Sequence, residues 1–320
     1  MALPKHWANP NTTRSRVAIE IAAELVGRAD QRLKMAKVLL RAGNDDPWAL
    51  ALFGSATREG IDDVVAGRSV LAMVNPSTAL RMAYLGTGPF EKPLPVRTLA
   101  VIPSADQMVF AVARETGLTS FEEIGRRRFP LRVRTRGMPR HSLQFMLESV
   151  ANAAGFSFRD VTSWGGDFRF EGGFPYADGP TIAALTRGEI QALFEEGSDE
   201  WLPAAFAAGM TILPLAESTI VALEGIGFRR AVIRKALYPQ LPADVATVSF
   251  SGWPIFVHAD LDDEFVMQCC AALDARKALI PWQGDGPLPV ERMCVDAEDT
   301  PIDVPLHPAA ERYWRECGYL

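Results

Sequence analysis

Cysteine is scarce in this chain, with four residues in 320, at Cys269, Cys270, Cys294 and Cys317. Adjacent cysteines such as Cys269 and Cys270 rarely bridge each other, and no C-x-x-C pair offers zinc or redox spacing. Both lie in the helical pattern Val266, Cys269, Cys270, Leu273, so all four thiols read as structural or incidental. Histidine is equally sparse, and positions 6, 141, 258 and 307 lack metal-ligand spacing. No run approaches the roughly 18 apolar residues of a membrane helix. The N-terminus has no signal-peptide h-region, because Glu20 and Glu24 interrupt its only apolar stretch. As written the chain reads as cytoplasmic, and as periplasmic only if an export signal is missing from it. Enzyme signatures are also absent. There is no G-x-S-x-G, H-E-x-x-H or P-loop, and GTGPFE (86–91) lacks the last glycine of G-x-G-x-x-G. No cofactor is expected.

What is present is an ordinary globular composition, 48% hydrophobic and 22% charged, in a chain long enough for two lobes. The net charge of −6 argues against a nucleic-acid binder. Against that acidic background one basic stretch stands out: LRVRTRGMPRHSLQFML, residues 131–147. A β-prone run, 131–135, breaks at Gly137 and restarts as an amphipathic helix at Ser142. Arg134, Arg136, Arg140 and His141 crowd the turn. The first N–H groups of a helix are unpaired and carry its positive dipole end, so such a turn suits an anion.

The rest of the chain alternates strand and helix. The spacing of Val17, Ile21 and Leu25 predicts an amphipathic helix over 13–28. Strands are expected at 49–53, 70–74, 96–102 and 108–112, with helices at 57–66 and 77–85. A second set has a capped turn at 119–124 (Ser120 three residues before Glu123), a strand at 131–135 and a helix at 142–154. A glycine- and aromatic-rich loop follows at 163–180, then a helix at 180–187, a strand at 190–194, a helix at 201–208 and a strand at 211–215. Residues 245–257 read as strand, 261–279 as helix, and 307–317 as a final helix. This is an α/β pattern with mostly parallel sheets.

Four segments carry a resemblance: GSATREGIDDVVAGRSVLAMVNPSTALRMAYLGTGPF (54–90), LTSFEEIGRRRFPLRVRTRGMPRHSLQFMLESVANAAGF (118–156), LTRGEIQALFEEGSDEW (185–201) and PLHPAAERYWRECGYL (305–320). In order and spacing they resemble the TAXI-type solute-binding proteins of TRAP transporters, over roughly residues 48–320. The last segment looks like that family's closing signature, with Ala309 where glycine is usual. The resemblance implies a two-lobed, type II periplasmic-binding-protein-like α/β fold with ligand in a cleft between the lobes. Lobe 1 would be 1–105 and 245–320, lobe 2 106–244, with crossover strands near 102–112 and 240–250. Two segments depart from the family. Residues 6–25 lack its glycine-rich first strand, and 163–180 is longer and more aromatic.

In that fold four strand-end turns face the cleft: Asn11–Thr13, Gly54–Thr57, Asn75–Thr78 and Gly137–Ser142. Their candidate ligand-binding residues are Thr13, Ser55, Thr57, Asn75, Ser77, Thr78, Arg136, Arg140, His141 and Ser142, although helix capping explains any single turn. Arg136 and Arg140 flank the lobe 2 turn as candidates for a bidentate carboxylate clamp. Trp164, Phe168, Phe170, Phe174 and Tyr176 are either core or a pocket wall for an apolar ligand body. Glu195, Glu196, Ser198 and Asp199 follow the 190–194 strand, where the family places a cleft residue. Trp253 is a weaker candidate. The implied function is a solute-binding protein closing on a small organic anion, a carboxylate with an apolar or aromatic body, and the implied partner is a membrane permease. Two alternatives are a cytoplasmic enzyme on the same fold, such as an aromatic-acid decarboxylase using His141 with Glu195 or Glu196, and a ligand sensor.

Overall fold

A computed structural model describes residues 10–28, 33, 35–41, 49–138 and 140–320, without the side chains of 10–12 and 198. The first set of elements is α1 (Pro10–Arg28), β1 (Met35–Arg41), β2 (Ala49–Ser55), α2 (Glu59–Val65), β3 (Leu71–Met73), α3 (Ser77–Leu85) and β4 (Val96–Ile102). A second set follows: β5 (Val109–Ala113), α4 (Glu122–Arg126), β6 (Arg132–Thr135), α5 (Ser142–Ala153), α6 (Phe158–Ser163) and β7 (Asp167–Phe170). It continues with α7 (Pro180–Thr186), β8 (Ala192–Glu195), α8 (Ser198–Ala207), β9 (Met210–Ile212) and α9 (Glu217–Gly225). The chain returns through β10 (Arg230–Ile233), β11 (Val245–Val248) and β12 (Trp253–His258), and ends in α10 (Asp263–Arg276), α11 (Val290–Met293) and α12 (Pro308–Glu316).

These elements build two five-stranded sheets, β1-β2-β3-β12-β4 and β7-β6-β8-β5-β9, with β10-β11 as a separate ribbon. In lobe 2, β7, β6 and β8 run parallel, while β5 is antiparallel to both β8 and β9. Lobe 1 repeats this plan with β2 and β3 parallel and β12 antiparallel to β3 and β4. Its edge differs. There β1 pairs antiparallel with β2, where lobe 2 has the parallel β6–β7 pair. Strands such as β5 (VFAVA) are apolar almost throughout because helices cover both faces of the sheet. Trp314 of α12 is fully buried under lobe 1, its indole N–H donating to the Leu99 carbonyl at 2.8 Å.

The chain crosses between the sheets twice, from β4 to β5 and from β11 to β12. The two passages lie side by side. Gln107 and Ser249 form a bridge, and Ser251 Oγ accepts the Asp106 N–H and donates to the Asp106 carbonyl, both at 2.9 Å. We propose that the lobe boundaries fall at these passages, near residues 105 and 250.

Several local expectations change. Residues 245–257 form two strands, because 249–252 leave the ladder to bond the other passage. The 163–180 stretch contains the end of α6 and all of β7, so most of its aromatics pack. Phe158 stacks on Phe168 with centroids 3.7 Å apart, and Trp164 lies 6.4 Å from Phe156. The Glu123 carboxylate accepts from the N–H and hydroxyl of Thr119, not from Ser120. Finally, Val17, Ile21 and Leu25 are 52–56% exposed on α1, so the stripe that predicts this helix does not bury it.

Candidate functional site

Between the lobes lies a cleft of about 700 Å³. Lobe 2 contributes Arg136, Met138 and His141 from the turn between β6 and α5, Phe174 and Tyr176 from the loop after β7, and Glu196 and Glu200 from the start of α8. Ala56, Asn75, Ser104 and Trp253 face them from lobe 1, and Asp106 comes from the outgoing passage. These are strand-end turns, and strands of one sheet deliver their ends to one edge.

The lobes touch at the mouth of the β6–α5 turn. Thr57 and His141 form an isolated antiparallel bridge, and Ser142 Oγ donates to the Ala56 carbonyl at 3.3 Å. His141 is buried as the N-cap of α5, with Nδ1 accepting the Leu143 N–H at 3.2 Å and its ring parallel to Phe250. Ser55 and Thr57 bond each other at 2.8 Å.

Arg136 sits deeper, with only 14% of its side chain exposed. Parallel pairing sets Arg134 beside Leu193, which brings the next outward residue, Arg136, against Glu195. Its Nη2 donates to Glu195 Oε1 at 2.6 Å and makes a still shorter contact to Glu196. Its Nε and backbone N–H also donate to Glu195, at 3.2 Å each. Phe174 covers the guanidinium, with the ring centroid 5.1 Å away. Gly137 permits the turn, since a Cβ there would lie 2.7 Å from Glu171 Cα.

Asp106 completes the cluster. Its carboxylate accepts the N–H groups of Gly197 and Gln107 at 2.8 Å, and its side chain bonds that of Glu196. Gly197 must be glycine here. Its φ is +68°, and a Cβ would lie 2.7 Å from the Phe174 ring.

Burial, then the charge of Glu196, pushes the Asp106 carboxyl well above 3.8. Burial alone would raise Glu196 too, but Arg136 and the Asp106 hydrogen bond bring it below its ordinary value. Burial raises Glu195, and Arg136 offsets this only in part. Burial also opposes the Arg136 charge, yet the two glutamates more than compensate and hold it charged.

The structure therefore gathers Asn75, Arg136, His141 and Glu196 around the cleft, with Glu195 beneath Arg136 and the Ser55–Thr57 and Ser142 contacts at its rim. It places the other expected residues elsewhere. Thr13 lies on the exposed surface of α1, and Arg140 is exposed at φ +61°. Ser77 donates to the Pro301 carbonyl at 3.0 Å, and Thr78 is buried in the first turn of α3. Trp164 packs against the lobe 2 core. Ser198 begins α8, and its side chain lies outside the described residues. Sequence reasoning missed Asp106, Ser104 and Glu200. The signal for the first two was there, because Pro103–Asp106 is the turn that ends β4.

Two α/β lobes, paired passages and a cleft between them define a type II periplasmic-binding-protein-like fold. The chain belongs to the NMT1-like family, whose pattern matches residues 53–318 and so begins within β2. No curated protein matches it. Among solved structures it is similar to PhnD1 from Prochlorococcus marinus (MIT 9301) in complex with methylphosphonate, at 14% identity and TM-score 0.39, covering 82% of this chain and 83% of that one. It is also similar to the alkanesulfonate-binding protein SsuA from Xanthomonas axonopodis pv. citri bound to MOPS, at 14% identity and TM-score 0.32. That likeness covers 68% of this chain and spans 59% of SsuA.

Proposed function

We propose that this chain is a solute receptor that closes its lobes on one small organic molecule and presents it to a membrane permease, as TAXI-type proteins do for TRAP transporters. The observation that carries this reading is the cleft itself, with walls from both lobes and from a passage about which they can hinge. The motif resemblance over residues 48–320 supports the TAXI assignment, and it favours an organic anion, whereas the carboxyl-rich lobe 2 wall opposes one, so the receptor reading commits only to a small organic solute. Arg136 could clamp a carboxylate only by leaving Glu195 and Glu196, so the carboxylate must find neutral donors, of which Ser104 lines the cleft. His141, with Nδ1 accepting the Leu143 N–H, serves as cap and bridge in this reading.

The test is a thermal-shift screen of small carboxylates, amines and neutral solutes, followed by calorimetry. A true ligand at 100-fold its Kd stabilises the protein by about 2.7 kcal/mol and binds one to one. If no solute of any charge stabilises it, the receptor reading falls. The permease arm is co-purification of a membrane permease pair with the ligand-loaded protein but not with the free one.

A further inference from the structure

We infer that the bound solute carries a cationic nitrogen, an ammonium or amidinium, received by the Glu196–Asp106 carboxyl pair on one wall and by Asn75 on the other. This rests on the receptor reading and deepens it. The first argument is a charge count in a closed space. One guanidinium, Arg136, pairs with two carboxyl groups, those of Glu195 and Glu196, and Asp106 adds a third that bonds Glu196. Glu195 alone takes three of the Arg136 donor contacts. A further carboxylate, Glu200, lines the same wall, and the other titratable groups there are Tyr176 and His141, the second of which favours the ionised form of Glu196. Among the described cleft-lining residues, lobe 1 adds no charged side chain. A second anion entering this cleft would meet unbalanced negative charge at low dielectric, which is costly.

The second argument is independent and comes from lobe 1. Asn75 Oδ1 is buried at the cleft without a hydrogen-bond partner among the described residues. A buried acceptor left unmade costs free energy, and a ligand N–H removes that cost. Tyr176, Phe174 and Trp253 supply aromatic faces, which attract a cation and accept an apolar body.

Without a cation, Glu196 and Asp106 share a proton, consistent with the raised Asp106 and lowered Glu196. When the cation arrives that proton leaves to water. Binding is then coupled to proton release, and affinity rises with pH until the pair is ionised in the free protein.

Tryptamine and indole-3-propionate test this, since they share one aromatic body and differ in the charge of the side-chain end. Tryptamine is expected to stabilise the protein, to bind at least tenfold tighter at pH 8 than at pH 5.5, and to release a proton seen by calorimetry in buffers of different ionisation enthalpy. Glu196→Gln should weaken it at least tenfold, and the wild-type calorimetry stands on its own if that variant does not fold. Indole-3-propionate binding in preference to tryptamine overturns the inference and leaves the receptor reading intact. If neither binds while another solute in the screen does, and that solute lacks a cationic nitrogen, the inference again fails alone. If no solute binds at all, both fall.

Discussion

Asp106 lies in the outgoing passage, where two backbone N–H groups and the Glu196 side chain hold its carboxyl away from water. Its folded-state value lies above the ordinary 3.8, so the folded protein keeps a proton that the unfolded chain has lost. That contribution to stability is fully present below 3.8 and disappears as pH rises through the raised value. Asp106→Asn should therefore flatten the decline in stability above pH 4, as measured by denaturant unfolding at several pH values. A variant with the same slope as wild type would remove Asp106 as its source. Arg136 is the opposite case. Arg136→Ala leaves Glu195 and Glu196 buried without their cation, at a cost of about 3–5 kcal/mol, visible as a lower denaturation midpoint. An unchanged midpoint would mean that water reaches the glutamates.

At the scale of elements, the β8–α8 junction positions the cluster. Glu195 ends β8, Glu196 follows it, and Gly197 turns left-handed into α8. A side chain at Gly197 meets both the backbone penalty, about 1–2 kcal/mol, and the Phe174 ring that covers Arg136. Gly197→Ala is expected to lower stability by at least that amount and to weaken ligand binding. Equal affinity with reduced stability would show that Phe174 does not shape the cleft. Much at this scale was legible in the chain. Ser77–Leu85 and Val96–Ile102 match their expected spans, because their apolar periodicity and their Asn-Pro, Gly and Pro punctuation are local signals. The strand β1, MAKVLLR, was not legible. It is an exposed edge strand whose mixed pattern is held by pairing with β2, which no local signal encodes.

For the whole molecule, the consequence of the paired passages is closure. The Thr57–His141 bridge and the Ser142 hydrogen bond join the lobes beside the cleft. Ser142→Ala removes that hydrogen bond, worth about 0.5–1.5 kcal/mol, and is expected to speed ligand release while leaving each lobe folded. Stopped-flow dissociation and small-angle scattering would check it. An unchanged release rate would argue that the lobes close on the ligand without this contact. By itself the sequence determined the alternation of strand and helix, the two-lobed class, and the basic turn at 136–142 as a place of interest. All of these rest on patterns within a few residues or on the order of motifs. Only the tertiary structure decided what that turn is for. Parallel pairing of β6 with β8 sets Arg136 against Glu195, 59 residues away, and the passage brings Asp106 to Glu196. Charge balance in a closed space depends on which distant side chains share it, and so a turn that reads as basic in the chain becomes, once folded, part of a net acidic site.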